Sequence, residues 1–482
     1  MAHDIDHFST ATAMRAALRA GAISARELTE LHIARIEAHD PALNAIPVQT
    51  FDRARSAAAA ADEAIARGAN GALLGLPMTL KESTLTAGLP QSAGIPDFAE
   101  HVPTQDGPIA AAVFAAGAGL LGKTNIPVAL ADWQANSPVY GRTNNPWDLG
   151  RTPGGSTGGG GAALAAGMTP LEVGSDIGGS IRVPAAYCGA YGHRPSETAI
   201  PRTGAFPLMD GPNPTALMGV QGPLARSAED LELLFDVITG PEPGEDVAWR
   251  LQLPPARRER LADFRVAVMP AALPWARPAQ AMQARVEALA DHLSRQGAVV
   301  SEAMPEVDKQ AYFEDYLRLL TVQTTQGQSR QEREANAERM RASDDPLNVA
   351  QAEGMTLDAA GYVALARRRE AARGAWRDFF RDWDVLLAPM TLDAAFPHQD
   401  KPFHERSLII DGENVPYGRN LIYPMWAIFT GLPSTAFPGG RSPDGLPLGL
   451  QAIGPYLEDR TPLRFAQLLE RDWLSFQPPP GY

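Results

Sequence analysis

Cysteine is almost missing from this chain. Cys188 is alone among 482 residues, so no intramolecular disulfide can form and a reducing compartment is permitted. Its setting, AAYCGAYG, suits a small buried hydrophobe better than a nucleophile. Basic charge is also short. Lys and Arg number 42 against 56 Asp and Glu, a formal net charge of −14. That balance argues against nucleic acid or an anionic membrane as the main partner. The uncharged stretches at 107–122 and 152–171 are short, or broken by Pro153 and Pro170. A membrane-spanning helix needs about 20 predominantly apolar residues. The opening MAHDIDHFST carries acids and no apolar h-region, unlike a signal peptide. The nine histidines show no H-E-x-x-H or similar ligand spacing, and no G-x-x-x-x-G-K-S/T phosphate loop occurs. These absences point to a soluble cytoplasmic protein, monomer or homodimer, that needs neither metal nor cofactor.

What the chain has in excess is glycine in one place. Residues 154–184 read GGSTGGGGAALAAGMTPLEVGSDIGGSIRVP and hold Ser156 and Ser180 on glycine-rich backbone. Glycine inside an element costs roughly 0.5–1 kcal/mol relative to alanine, so a role beyond packing is expected here. Around this stretch the pattern is α/β. Ser9 and Ser24 precede helical segments, Gly21 suits a helix end, and residues 51–68 form an Ala-rich helix. Residues 76–81 read as a short buried strand that delivers Lys81 at its end. Helices are expected at 108–118 and 162–167, the latter just past the glycines, with a strand at 120–122. Residues 265–269, 277–296 and 298–302 form a strand–helix–strand unit, and further strands fall at 385–388, 435–437 and 448–453. The fold class is therefore α/β, with helices on both sheet faces, and no linker divides residues 1–482 into domains. Residues 323–353 are polar and poor in periodicity, an expected surface excursion or lid. Arg367, Arg368, Arg369, Arg373 and Arg377 read as a solvated helix face.

Three residues carry candidate chemistry. Ser180 follows Ile177, Gly178 and Gly179, whose N–H groups, with that of Ser180, could converge as an oxyanion hole. The same residues could equally form a tight structural turn. Lys81 sits among Leu76, Met78 and Leu80, and burial would lower its proton affinity toward that of a base. Alone, it reads as an exposed strand end or a partner for Glu82. Ser156 supplies a second hydroxyl that could pass a proton between them. GGSTG also matches G-x-S-x-G, but turn material precedes it rather than the strand a nucleophile elbow needs.

GGSTGGGG followed by GSDIGGSIRVP resembles the amidase signature family. LPMTLKES, LLGKTNIP, NNPWDLGRTPGGS, GPLARSAEDL, WDVLLAPM and GLPSTAFPGG extend the resemblance along nearly the whole chain. It implies the amidase signature fold, a central mixed, twisted sheet covered by helices. It also implies a Ser–cis-Ser–Lys triad, with Ser180 the nucleophile, Ser156 the bridging serine after a cis peptide bond and Lys81 the base. Thr157 and Asp176 would support that triad. By match to fatty-acid-amide-type members, Leu130, Ala131, Asp132 and Trp133 would lie beside the scissile bond. Variable segments within 310–425, carrying Tyr312, Phe313, Tyr316, Phe403, Tyr417 and Tyr423, would form an aromatic mouth. The implied activity is hydrolysis of small amides, extending to esters and carbamates. The alternatives are a tRNA-dependent amidotransferase component of the same family and a non-catalytic binding protein on the same fold. Three departures stand out. Thr157 replaces the usual Ser or Gly, Glu82 the usual Asp, and His193-Arg194 the usual Leu-Lys.

Overall fold

The computed structural model describes residues 5–207, 217–271, 273–275, 277–342 and 345–482. The first half of the chain forms strands β1 (Val48–Gln49), β2 (Pro77–Lys81), β3 (Gly119–Thr124), β4 (Asn136–Ser137), β5 (Gly141–Arg142), β6 (Leu171–Asp176), β7 (Tyr191–Arg194) and β8 (Val220–Ala225). The second half adds β9 (Arg265–Val268), β10 (Val299–Glu302), β11 (Val385–Pro389), β12 (Ser407–Ile410), β13 (Glu413–Pro416), β14 (Ser434–Arg441) and β15 (Pro447–Ile453). Eleven of them build one sheet in the order β1-β3-β2-β6-β8-β7-β14-β15-β11-β9-β10. The sheet is mixed: β3, β2 and β6 run parallel, as do β11, β9 and β10, and the strands between are antiparallel. Strands β2, β3, β8, β11 and β15 are buried along their whole length, which requires cover on both faces.

The strand–helix–strand expectation near 265–302 is met by β9, the helix Gln280–Arg295 and parallel β10. Three expectations need correction. The helix after Ser156 begins at Gly158, inside the glycine run, and spans Gly158–Ala165. A Cβ at Gly159 would lie 2.3 Å from the Asn125 nitrogen and 2.5 Å from the Ala45 carbonyl oxygen, and one at Gly160 would lie 2.6 Å from the Glu172 side chain. Close approach of neighbouring backbone therefore selects glycine there and overrides helix propensity. Residues 323–342 and 345–353, expected as a surface excursion, are one only in part. They hold the helices Arg330–Arg341 and Pro346–Met355, and the second packs on Lys309–Thr324. Leu347, Ala350, Ala352, Gly354 and Met355 are buried, and a Cβ at Gly354 would lie 2.4 Å from the Arg318 carbonyl oxygen. Small residues hid that contact from a periodicity reading. Finally, Arg369 is buried rather than solvated. It donates to the Phe429 carbonyl and pairs with buried Glu197, while Arg367, Arg368 and Arg377 stay exposed.

Candidate active site

Strands β2 and β6 lie side by side in parallel, with Thr79 opposite Glu172 and Leu80 opposite Val173. Their carboxyl ends therefore bring Lys81 beside Ser175 and Asp176. Open α/β sheets bind ligands at such strand ends. Lys81 is fully buried. Its Nζ lies 2.7 Å from Ser156 Oγ and 2.9 Å from Ser175 Oγ. Burial pulls its pKa down to about 7, against the opposing charges of Glu172, Asp176 and Glu82. Burial pushes Glu172 the other way, up to about 7. Lys81 does not pair with Glu82. That carboxylate instead accepts from the Ser92 and Ala93 N–H groups, Ser92 Oγ and the Tyr140 hydroxyl.

Ser156 sits on a loop pressed against residues 132–134. A Cβ at Gly155 would lie 2.3 Å from the Asp132 carbonyl oxygen. The Gly155–Ser156 peptide is cis. The Thr157 N–H donates to the Ser180 carbonyl at 3.2 Å, joining the two serine segments. The Thr157 side chain fits because Gly174 faces it: a Cβ there would lie 2.6 Å from Thr157 Oγ1. Among the described residues no hydrogen bond joins Ser156 Oγ to Ser180 Oγ.

Ser180 lies between β6 and the helix Arg182–Cys188. Asp176 organises this turn. Its carboxylate takes Arg182 at 3.0 and 3.2 Å, the Gly179 N–H at 3.0 Å and the Ile181 N–H at 3.3 Å. Burial alone would raise its pKa, but Arg182 and Arg194 hold it below the usual carboxylate value. Gly179 adopts φ +93°, which only glycine accepts readily. The expected four-donor set is thus not free as a whole, because the Gly179 hydrogen is committed to Asp176. Among the described residues no hydrogen bond takes up the N–H groups of Ile177, Gly178 and Ser180.

The segment carrying Leu130, Ala131, Asp132 and Trp133 divides. Leu130 is half-buried and Ala131 exposed. Trp133 is buried and its indole N–H donates to the Gly178 carbonyl at 3.0 Å. Asp132 accepts from the Tyr417 hydroxyl at 2.6 Å and pairs with Arg406. The expected aromatic mouth divides as well. Tyr312 and Phe313 are core; Tyr312 stacks on Trp426 and donates to its carbonyl. Tyr423 is also buried. Tyr417 and the half-exposed Phe403 pack on Trp133, with ring centroids 5.2 and 6.0 Å away. The Tyr316 hydroxyl donates to the Ile177 carbonyl at 3.2 Å.

The family model described as Amidase matches residues 27–463. The chain belongs to the amidase family. It is 33% identical to the indoleacetamide hydrolase of Bradyrhizobium diazoefficiens over 92% of this chain and 83% of that one. It is 30% identical to a glutamyl-tRNA(Gln) amidotransferase chain from a Synechococcus strain, over 96% of each. The structure of a bacterial aryl acylamidase of the amidase signature family superposes with TM-score 0.81 at 25% identity, covering 97% of each chain. These likenesses confirm the amidase signature fold and make the chain an amidase-family hydrolase of amides.

In this amidase the remaining departure, His193-Arg194, is buried and ties β7 to distant segments and to the Ser180 turn. Buried His193 lies between Thr435 Oγ1 at 2.9 Å and Asp459 at 3.2 Å. Arg194 donates to the Asp176 carbonyl at 2.7 Å. Cys188 is buried and its Sγ donates to the Pro153 carbonyl at 3.4 Å. Sequence reasoning missed Ser175 and Arg406. Ser175 stands one residue before Asp176, and strand pairing alone turns it toward Lys81. Arg406 carries no local signal, since its partner Asp132 is remote in sequence.

Proposed function

We propose that this chain hydrolyses the C–N bond of small arylalkyl and aryl amides through an acyl-enzyme on Ser180. The observation that carries the reading is the fully buried Lys81 amine, 2.7 Å from Ser156 Oγ. A lysine that titrates near neutrality can accept a proton as well as return one. In this mechanism a rotation of the Ser180 side chain brings its Oγ to Ser156. Ser180 attacks the carbonyl carbon while its proton passes to Ser156, whose own proton passes to neutral Lys81. The oxyanion is taken by free N–H groups of the 177–180 turn. The proton then returns through Ser156 to the leaving amine, and water repeats the sequence to release the acid. The same steps would cleave esters and carbamates. Trp133, Tyr417 and Phe403 beside the turn support an aromatic substrate, as does the likeness to an indoleacetamide hydrolase and an aryl acylamidase. The reading includes action in the cytoplasm by a monomer or homodimer, with no cofactor.

A fluorophosphonate should place one covalent label on Ser180, located by peptide mass spectrometry, and Ser180→Ala should abolish labelling and turnover. A label on Ser156 with Ser180→Ala still active would overturn the assignment. The likeness to an amidotransferase makes transfer the competing reading. Amide hydrolysis by the purified chain alone supports the hydrolase, and activity only with added partner chains supports transfer.

A further inference from the structure

The turn that bears Ser180 has every carbonyl tied, and each tie comes from a different place. The Asp176 carbonyl accepts from Arg194 on β7 at 2.7 Å. The Ile177 carbonyl accepts from the Tyr316 hydroxyl, on the helix Lys309–Thr324, at 3.2 Å. The Gly178 carbonyl accepts from the Trp133 indole N–H at 3.0 Å. The Gly179 carbonyl accepts from the Val183 N–H at 2.7 Å. In a trans peptide the C=O and N–H point in opposite directions. Fixing each carbonyl therefore aims the next residue's N–H.

The four peptides are not equally secured. The 178–179 peptide is held at both ends, by Trp133 on its oxygen and Asp176 on its hydrogen. The 179–180 peptide is held by the following helix itself. The 177–178 peptide precedes two consecutive glycines, and its oxygen has Tyr316 as its hydrogen-bond donor. Without that bond, glycine's freedom would let the 177–178 plane rotate. Tyr316 is fully buried, and burial pushes its phenol pKa up, so it stays a donor.

We infer that Tyr316 is a positioning residue that aims the Gly178 N–H at the oxyanion formed on Ser180, while Trp133 steadies the adjoining 178–179 peptide, whose own N–H Asp176 holds. The inference rests on Ser180 being the nucleophile. Tyr316 needs no contact with the substrate for this role. Tyr316 reaches the turn from a helix outside residues 154–184, so the part of the chain that packs above the turn also tunes its chemistry.

The test is Tyr316→Phe and Trp133→Phe in the full chain, with active sites counted by fluorophosphonate titration so that misfolded protein does not enter kcat. The steady-state substrate is an aryl amide. The second probe is an aryl trifluoromethyl ketone, which adds to a nucleophilic serine as a tetrahedral oxyanion. Losing an oxyanion donor outright costs about 10²–10³ in kcat; misaiming one should cost less, about 10-fold or more. The expected result for Tyr316→Phe is that loss in kcat, an unchanged KM and a matching loss of ketone affinity. Trp133→Phe should lose less in kcat, since Asp176 still holds the 178–179 peptide, and a change in its KM would report the aromatic contact rather than the turn. An unchanged kcat in Tyr316→Phe would overturn the inference. So would a raised KM with kcat intact, or a lower kcat with ketone affinity intact. If Ser180 is not the labelled residue, the nucleophile reading fails instead, and labelling shows this before any kinetics.

Discussion

Lys81 is a buried amine next to two hydroxyls, and its proton decides what it can do. Only the neutral amine accepts a proton, so kcat/KM should rise with pH along a limb centred near 7, where burial places the Lys81 pKa. Lys81→Ala should lose that limb and about 10²–10⁴ in amide turnover, the usual range for general acid–base assistance. A matched nitrophenyl ester should suffer less, because its leaving group departs unprotonated. Equal losses and an unchanged pH profile would show that Lys81 acts only as a charge. Glu172 offers a second check. Its negative charge favours the protonated lysine, so Glu172→Gln should move the limb to lower pH. A limb that moves upward or stays in place would assign it to another group.

At the scale of elements, the helix Gly158–Ala165 shows why glycines cluster beside Ser156. Its first turn meets neighbouring backbone with no room for a methyl group. Gly159→Ala should destabilise the protein by at least the 1–3 kcal/mol typical of overpacking, measured by urea unfolding. Gly327→Ala is the control. A Cβ there meets nothing within 4 Å, and surface changes usually stay within about 0.5 kcal/mol. Equal stability of the two variants would mean that the helix can shift away from Asn125 and Ala45. The same crowding explains why the sequence pattern started this helix at residue 162. Local propensity spoke against glycine, and only the packing partners reverse it. The helix Pro346–Met355 escaped notice for a related reason, since its contact with Lys309–Thr324 uses small residues and lacks a strong apolar stripe.

Across the whole molecule, the segments around the site are tied to one another. Asp132 joins the Trp133 segment to Arg406 and Tyr417, Arg142 pairs with Asp400, and Arg419 pairs with Asp345 at 3.0 Å. Asp132→Asn keeps an acceptor for Tyr417 but leaves half-buried Arg406 without its countercharge. Hydrogen bonds to charged groups are worth about 1.5–3 kcal/mol, so thermal unfolding should show a loss of that order, and kcat/KM for an aryl amide should fall. A variant with wild-type stability and activity would show that the mouth holds without the pair. The aromatic cluster of Trp133, Phe403 and Tyr417 also sets an expectation for substrate choice. An acyl anilide or an arylacetamide should exceed acetamide in kcat/KM, and equal values would contradict it.

Ser180, Ser156 and Lys81 could be singled out as candidates because each lies in a short pattern, glycine before a serine or an apolar strand ending in lysine, but those patterns left their roles open and only the resemblance to the amidase signature family joined them into one expected triad. The α/β class was legible as well, because strand and helix periods are local. What only the tertiary structure decided are the partners that come from far along the chain. These include Ser175 turned toward Lys81, Trp133 on the Gly178 carbonyl, Tyr316 on the Ile177 carbonyl, and Arg369 buried against Glu197. The physical reason is the same in each case. A hydrogen bond or ion pair between remote residues leaves no trace in local spacing, and a buried charge looks like any surface charge until its partner is in place.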